Sequence, residues 1–293
     1  MFTTTRRHWL GVCFGAPLAA CTLSPDTDHN GSDAPRTELL RRPVRTAWVL
    51  GSGGPRGFVH VGVLKALDEL GLAPDLIVGA SVGAMVGTLR AAGLSGQRIE
   101  TLALELQPLT MARVAWGTSE RLSGTPVADL VREQVGERPL EQLPIPMACV
   151  AVRRLDGAVV AFNAGDAGLA VQASAAIEGH FTPVRIRGQL YMDPDGHAPL
   201  PVRLARALGA QRVLAVDASA HVDRAPAEAS RFRAGDLRKR ALVDADASHA
   251  DLVLKPDFGY WVSLSREFRE RAIEAGYRDT LAAAARLREL HRV

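Results

Sequence analysis

Ser81 stands in the run IVGASVGAMVG, residues 77–87, with a glycine two positions before it and another two positions after. A serine framed as GxSxG, between a short apolar run and a small-residue helix, is how a nucleophile elbow looks in sequence. A strand that turns sharply into a helix holds such a serine in strained geometry, and Gly79 and Gly83 must be small to permit the close approach. The hydroxyl would project at a helix N-terminus, where the backbone dipole favours developing negative charge. The same residues also suit a small-residue loop in which Ser81 merely caps a helix.

The elements around Ser81 must supply the rest of such a site. Residues 46–64, TAWVLGSGGPRGFVHVGVL, read as a strand, a glycine-rich loop and a helix whose apolar spacing continues through Leu67 and Leu70. The Lys-Ser/Thr pair of a P-loop is absent, and Ser52 stands where a GxGxxG loop needs its first glycine, so nucleotide binding is the minor reading. Gly53, Gly54 and Gly57 would expose backbone amides at the mouth of a helix, and Arg56 adds a fixed positive charge. Such a loop suits an oxyanion. Pro55 has no amide hydrogen, so the expected donors are Gly53, Gly54 and Arg56.

GSGGPRGFVHVGVLKALDELG followed closely by GASVG resembles the patatin-like phospholipases, whose pattern is a glycine-rich GGxRG loop and then GxSxG. The resemblance continues through residues 174–202, SAAIEGHFTPVRIRGQLYMDPDGHAPLPV, and in all spans roughly residues 45–220. In that family this last block leads into an Asp-Gly-Gly or Asp-Gly-Ala segment whose aspartate partners the serine, and counting back from residues 199–202 sets that aspartate at Asp193. Three departures stand out. Ser52 replaces the first glycine of the loop, Glu178 stands where the family often has proline, and the Asp-Gly-Gly segment is here Asp193-Pro194-Asp195. Pro194 pushes Asp193 toward extended backbone, so the following turn departs from the usual one. A two-residue shift keeps the same face of a strand, which makes Asp195 the reserve candidate.

The resemblance implies a three-layer α/β/α fold with a mainly parallel central sheet and a Ser-Asp dyad needing no histidine. Asp193 would take the Ser81 proton during attack on an ester carbonyl, the glycine loop would hold the oxyanion, and water would release the fatty acid from an acyl-enzyme. An aspartate of ordinary pKa, about 4, is a poor base for a hydroxyl, so burial or hydrogen bonding must assist it. A Ser-His-Asp triad is the alternative from the residues alone. Of eight histidines, His197, near the Asp193 block, is the one worth testing; His60 falls inside the first helix. No HExxH or paired Cys/His spacing occurs, so neither a metal nor another cofactor is expected.

Residues 1–20 carry Arg6 and Arg7 and then an apolar stretch too short to span a bilayer, which reads as an export signal. Leu18-Ala19-Ala20-Cys21 resembles the bacterial lipobox, implying a lipidated Cys21 and a membrane-anchored protein of the cell envelope facing the periplasm. Thr22, and not an aspartate, after that cysteine points to the outer membrane, and the paired arginines faintly resemble a twin-arginine signal. With Cys13 removed and Cys21 acylated, Cys149 is left as a small core residue with no disulfide partner.

Residues 21–42 are polar, contain Pro25 and Pro35, lack apolar periodicity and are expected to form a flexible tether. Residues 43–293 suffice for one α/β domain. Strands are expected near Thr46, Leu76, Met147, Val159, Arg185 and Val213, with helices after the first two, near Ala167 and near Pro201, an alternation that argues a parallel sheet covered on both faces. A local hairpin is expected around Asp156-Gly157, and one long surface helix over residues 265–293.

A net charge of only +3 argues against a nucleic-acid partner. Arg231, Arg233, Arg238, Lys239 and Arg240 form a cluster suited either to anionic headgroups or to a solvated face. Residues 106–122 and 259–264, with Trp116, Tyr260 and Trp261, suit an acyl channel, a lid or core. Two functions follow: an acyl hydrolase acting on membrane phospholipid or another acyl-ester lipid, or, motivated by Ser52 and Pro194, a catalytically weak envelope scaffold that binds lipid or a partner.

Overall fold

The computed structural model describes residues 27–115 and 120–292. The expected export signal, the lipidated Cys21 and Trp116 lie outside the described residues.

The chain alternates strands and helices: β1 (Thr46–Leu50), α1 (Phe58–Glu69), β2 (Leu76–Ala80), α2 (Val82–Ala91) and α3 (Gly96–Glu105), then a short ribbon of β3 (Arg113–Val114) and β4 (Leu122–Ser123), followed by α4 (Thr125–Val135). The second half contributes β5 (Met147–Arg153), β6 (Val159–Phe162), α5 (Ala167–Ser174), β7 (Val184–Ile186), β8 (Gln189–Met192), α6 (Val202–Ala207), β9 (Arg212–Val216), α7 (Arg233–Ala247), β10 (Leu252–Leu254), α8 (Arg266–Ala282) and α9 (Ala284–Leu290). The main sheet runs β10-β9-β1-β2-β5-β8-β7, with β6 also on β5. The five strands from β10 to β5 are parallel, while β6, β8 and β7 join antiparallel at one side. The expected mainly parallel sheet is thus present, and the hairpin around Asp156-Gly157 is β5–β6.

Both faces of the parallel strands are covered, which is why β1 and β2 read as unbroken apolar runs. Trp48 and Leu50 enter one core with Val61, Leu64 and Leu67 of α1 and Ile273 of α8. Ala47 and Val49, pointing the other way, enter a second core with Val202 and Ala205 of α6 and Val243 of α7. Strand periodicity of two thus divides each strand between the two helical layers.

Two expectations fail in physical detail. The C-terminal helix breaks at Ala283 into α8 and α9, and α8 is no loose surface element. It crosses α1 so closely that a Cβ on Gly62 would lie 1.8 Å from Ile273 O, and one on Gly276 2.2 Å from Val59 O. The tether also differs from expectation where it is described. His29 bridges to Ile186, Arg36 and Ala164 exchange backbone hydrogen bonds, and Asn163 bonds Glu38 through both ends of its amide. Ala34 is buried in the core. Polar residues here satisfy the outer strands and the β6–α5 connection, so this segment is a fixed strap from Asp28 onward.

Candidate active site

The glycine loop and the serine turn leave the carboxyl ends of the parallel strands β1 and β2, where open α/β sheets hold their ligands, and Asp193 arrives there from β8, which runs antiparallel to β5. The turn from β2 to α2 carries Ser81 at φ 55°, ψ −122°. This is a sparsely populated conformation for a residue with a side chain, costing on the order of 1–3 kcal/mol, and it aims the hydroxyl out of the turn. Gly79 and Gly83 are sterically required. A Cβ on Gly79 would stand 2.5 Å from Gly83 O, and one on Gly83 2.1 Å from Leu50 O. The Ser81 amide donates to Ser174 Oγ at 2.9 Å, and Ser174, at the end of α5, is fully buried.

The glycine loop docks directly onto this elbow. A Cβ on Gly57 would lie 2.2 Å from Val82 Cγ1, so the loop's last glycine seats against the residue after Ser81. Gly53 packs on Ala218, where a Cβ would meet Ala218 O at 2.9 Å, and Gly54 takes φ 53° with open space around it. Among the described residues no acceptor pairs with the Gly53 or Gly54 amide, so both remain available to a ligand. Arg56 differs from the expected oxyanion donor. Its amide donates to Gly53 O at 3.1 Å, and its guanidinium, largely buried, donates to Gly259 O at 3.1 Å and to Tyr260 O. It also lies over the Phe258 and Tyr260 rings at 5.8 and 5.5 Å. Arg56 therefore clamps residues 258–260 onto the glycine loop, and burial pushes its pKa down.

Asp193 follows β8 and is 5% exposed. Its amide donates to Ala176 O at 3.0 Å, just beyond α5, so the end of α5 fixes both Ser81 and Asp193. Asp193 Oδ1 accepts the Asp195 amide at 2.9 Å, while the buried Oδ2 has no well-formed hydrogen bond. Burial raises the Asp193 pKa to about 7; hydrogen bonding from the Ser81 hydroxyl opposes the rise, and the Asp195 charge adds to it. A carboxyl titrating near neutrality, with an open oxygen beside a serine hydroxyl, has the chemistry a general base requires.

The reserve candidates sit elsewhere. Asp195 Oδ1 accepts from Ser52 Oγ at 2.5 Å and from Lys239 Nζ at 2.5 Å, so its carboxylate is engaged by a hydroxyl and a cation away from Ser81. Two of the three departures from the family pattern thus meet in one contact. Pro194 begins a short 3-10 turn, Pro194–Gly196, that Asp193 caps through its own side chain. Glu178, the third departure, is exposed. His197 is also exposed, its ring against the Gly157 turn, and it hydrogen-bonds neither Ser81 nor Asp193. His60 is fully buried beneath the loop, its Nε2 2.8 Å from Gly51 O, and burial lowers its pKa to about 4, which keeps it neutral. Among the described residues no group of acids, histidines and cysteines could hold a metal ion. Cys149, buried in β5 with its thiol pKa pushed up to about 12, is inert.

Ser81 opens into an apolar cavity of about 410 Å³, lined by residues such as Val82, Met85, Leu102, Leu106, Met111 and Leu264. This volume falls within the range of small-molecule sites. Both segments expected to line an acyl channel contribute to it. A polar hollow of about 470 Å³ lies at the opposite end of the strands, around Arg45, Asp75 and Arg212, and holds no nucleophile.

Sequence reasoning missed Ser174, and it placed Lys239 only in a basic cluster, not beside Asp195. Ser174 is a lone hydroxyl ending an apolar helix, a signal that gains meaning only once the helix is known to abut the elbow.

The patatin-like phospholipase family model matches residues 48–205. An uncharacterized NTE family protein of Mycobacterium tuberculosis is 36% identical over 178 residues, covering 59% of this chain and 48% of that protein. The human patatin-like phospholipase domain-containing protein 6 is 30% identical over 196 residues, covering 64% of this chain and 14% of that protein. The chain thus spans about half the length, or less, of the curated relatives it matches. In fold it is similar to VipD from Legionella pneumophila, with a TM-score of 0.59 at 13% identity, covering 89% of this chain and 71% of that one. The family match reaches from within β1 to within α6 and so takes in the glycine loop, the elbow and Asp193. On that match the chain belongs to the patatin-like phospholipase family.

Proposed function

We propose that this protein is a serine acyl hydrolase of the phospholipase A or lipid acyl hydrolase type, cleaving fatty-acyl esters through a Ser81–Asp193 dyad. The observation that carries this reading is the buried carboxyl of Asp193, its pKa raised to about 7 and its Oδ2 unpartnered, beside a serine in elbow geometry that opens into an apolar cavity. A relative in Saccharomyces cerevisiae, 28% identical over 186 residues, is named lysophospholipase NTE1, which supports an acyl-lipid substrate.

In this mechanism the acyl chain enters the apolar cavity and leaves its carbonyl carbon at Ser81 Oγ. As Oγ attacks, its proton passes to Asp193 Oδ2, and the carbonyl oxygen becomes an oxyanion. The Gly53 and Gly54 amides, with the positive end of α2, stabilise that charge; a well-placed donor contributes about 3–4 kcal/mol in other acyl-transfer enzymes. Collapse returns the proton to the leaving alcohol and forms an acyl-enzyme, which water activated by Asp193 then hydrolyses. No histidine takes part. An envelope location with a lipid anchor on Cys21 belongs to this proposal and is supported by the N-terminal sequence alone.

The scaffold alternative drew on Ser52 and Pro194, and the geometry does not favour it: Ser52 is bonded to Asp195, and Pro194 leaves Asp193 buried. The test is fatty-acid release from mixed phospholipid vesicles, with fluorophosphonate labelling, for wild type, Ser81→Ala and Asp193→Asn. Release and labelling lost in Ser81→Ala, with release also lost in Asp193→Asn, is the expected result. A folded wild type that neither labels nor releases fatty acid would sink the reading.

A further inference from the structure

The mouth of the apolar cavity continues onto an exposed face built from two segments distant in sequence. One is the 3-10 turn Ala227–Phe232 with the start of α7; the other is the strap 257–264, which Arg56 holds in place. Leu264 belongs both to this face and to the cavity lining. Half of the large exposed apolar residues among the described residues fall here: Phe232 at 43%, Leu237 at 47%, Trp261 at 50%, Val262 at 47% and Leu264 at 48% exposure. One edge-on ring contact joins the two segments, Phe232 to Trp261 at 6.4 Å, and within the strap Tyr260 meets Trp261 edge-on at 5.3 Å. Tyr260 further donates to Asp236 at 2.5 Å, tying the strap to α7. A contiguous exposed apolar surface beside a cavity marks an interaction site.

The charges on this face are selective. Arg224, Lys239 and Arg240 are each paired with a carboxylate, of Asp257, Asp195 and Asp244. Arg231, Arg233 and Arg238 are exposed, and none has a carboxylate within ion-pair distance among the described residues. Arg231 lies over the Phe232 ring at 4.6 Å, so cation and apolar surface are adjacent. Of the nearby acids, Asp236 is engaged by Tyr260, which leaves Glu228 and Asp223 against three free arginines. A tryptophan with aliphatic neighbours, beside an exposed arginine-rich segment, has the chemistry of a surface that sits at the headgroup boundary of an anionic bilayer.

We infer that the face carrying Phe232, Leu237, Trp261, Val262, Arg231, Arg233 and Arg238 docks on an anionic phospholipid bilayer and seats the cavity mouth on it. The purpose of that docking rests on the acyl-hydrolase reading; the docking itself does not. The arginines draw the protein to the surface, and the aromatic and aliphatic groups insert at the headgroup level. With Leu264 at the mouth, an acyl chain passes from bilayer to cavity along an apolar path.

The experiment uses the full chain carrying Cys21→Ser, to remove any anchor, and Ser81→Ala, so that vesicles persist. Co-sedimentation is measured with vesicles of phosphatidylcholine, alone or mixed with phosphatidylglycerol. In this background Trp261→Ala/Val262→Ser is expected to weaken binding to both vesicle types. Arg231→Glu/Arg233→Glu/Arg238→Glu is expected to remove the preference for the anionic vesicles, a loss of about 100-fold in partitioning. All these residues are exposed, and circular dichroism checks the fold. The same substitutions with Ser81 intact are expected to leave hydrolysis of a soluble short-chain ester within about twofold of wild type, since none touches the site. Binding equal to the parent in both variants would overturn the proposal. So would self-association of the parent, without vesicles, that the same substitutions abolish, because the face would then be an interface between copies. Substitution-sensitive binding without any esterase activity would refute the hydrolase and leave the docking surface standing.

Discussion

The Ser174 hydroxyl accepts the backbone amide of Ser81 at 2.9 Å, with Ser174 fully buried and Ser81 nearly so. The strained elbow is thus held from the end of α5. The adjacent Ala176 carbonyl holds the Asp193 amide, so one helix end anchors both the Ser81 elbow and the Asp193 backbone.

Ser174→Ala leaves the Ser81 amide buried without a partner, at a cost of about 1–3 kcal/mol, and loosens the elbow. The expected outcome is a lower unfolding midpoint and a fall in kcat that exceeds the change in KM, because substrate contacts are untouched and only the nucleophile moves. Denaturant melts together with steady-state kinetics check this; an unchanged kcat would remove Ser174 from the positioning of Ser81.

The pH profile follows from Asp193, which must be ionised to accept a proton. With its pKa at about 7, kcat/KM is expected to rise about tenfold per unit below that value and to level off above it. Asp195 pushes that pKa up and Lys239 pulls it down. Asp195→Asn should therefore move the acid limb to lower pH, and Lys239→Met should move it to higher pH. Limbs that coincide in all three proteins would show that another group titrates.

The elbow and the glycine loop were legible because their demands are local: Gly79 and Gly83 flank Ser81, and Gly53, Gly54 and Gly57 fall together in the turn after the first strand. Asp193 came from spacing within a resemblance, and its burial, which makes it a usable base, had no sequence signature. Ser174 lies 93 residues from Ser81, and Lys239 lies 44 from Asp195, so nothing nearby in the chain announced either contact. Arg56 was legible as a fixed positive charge beside the loop amides, but its guanidinium turns to carbonyls some two hundred residues away. The strap from Asp28 to Glu38 looked like a tether because polar residues that satisfy sheet edges have the composition of polar residues that face water.

Burial of Asp193 is also a stability statement. Its folded pKa, about 7, lies above the unfolded value of 3.8, so the folded state binds the extra proton between these limits. Stability is therefore lost as pH rises from about 4 to about 7, and above 7 the ionised carboxylate costs on the order of 4 kcal/mol. Asp193→Asn removes that cost while abolishing the base. The inactive variant is expected to melt about 5 °C or more above wild type at pH 8, with the gap shrinking toward pH 4. His60 acts with the opposite sign, because its folded pKa of about 4 lies below the unfolded 6.5 and stability falls as pH drops through that window. It does so equally in both proteins, so the difference between their melting curves isolates Asp193. A variant that is no more stable at pH 8 would mean that the carboxylate is better satisfied than its unpartnered Oδ2 indicates.

Arg56 separates two roles that the glycine loop can play. As an oxyanion donor it would act on every ester alike. As the clamp described above, it positions the strap whose Leu264 lines the cavity, and it acts only on substrates long enough to reach that residue. Lysine keeps the charge but cannot donate to the Gly259 and Tyr260 carbonyls through a rigid fork or stack equally on two rings. Arg56→Lys is therefore expected to keep kcat on a short soluble ester within a few-fold of wild type. On long-chain phospholipid, KM should rise about tenfold, the equivalent of ~1.4 kcal/mol of lost positioning. Acyl-length series with both proteins read this directly. A uniform drop in kcat across all chain lengths would return Arg56 to the oxyanion site and leave the strap to hold itself.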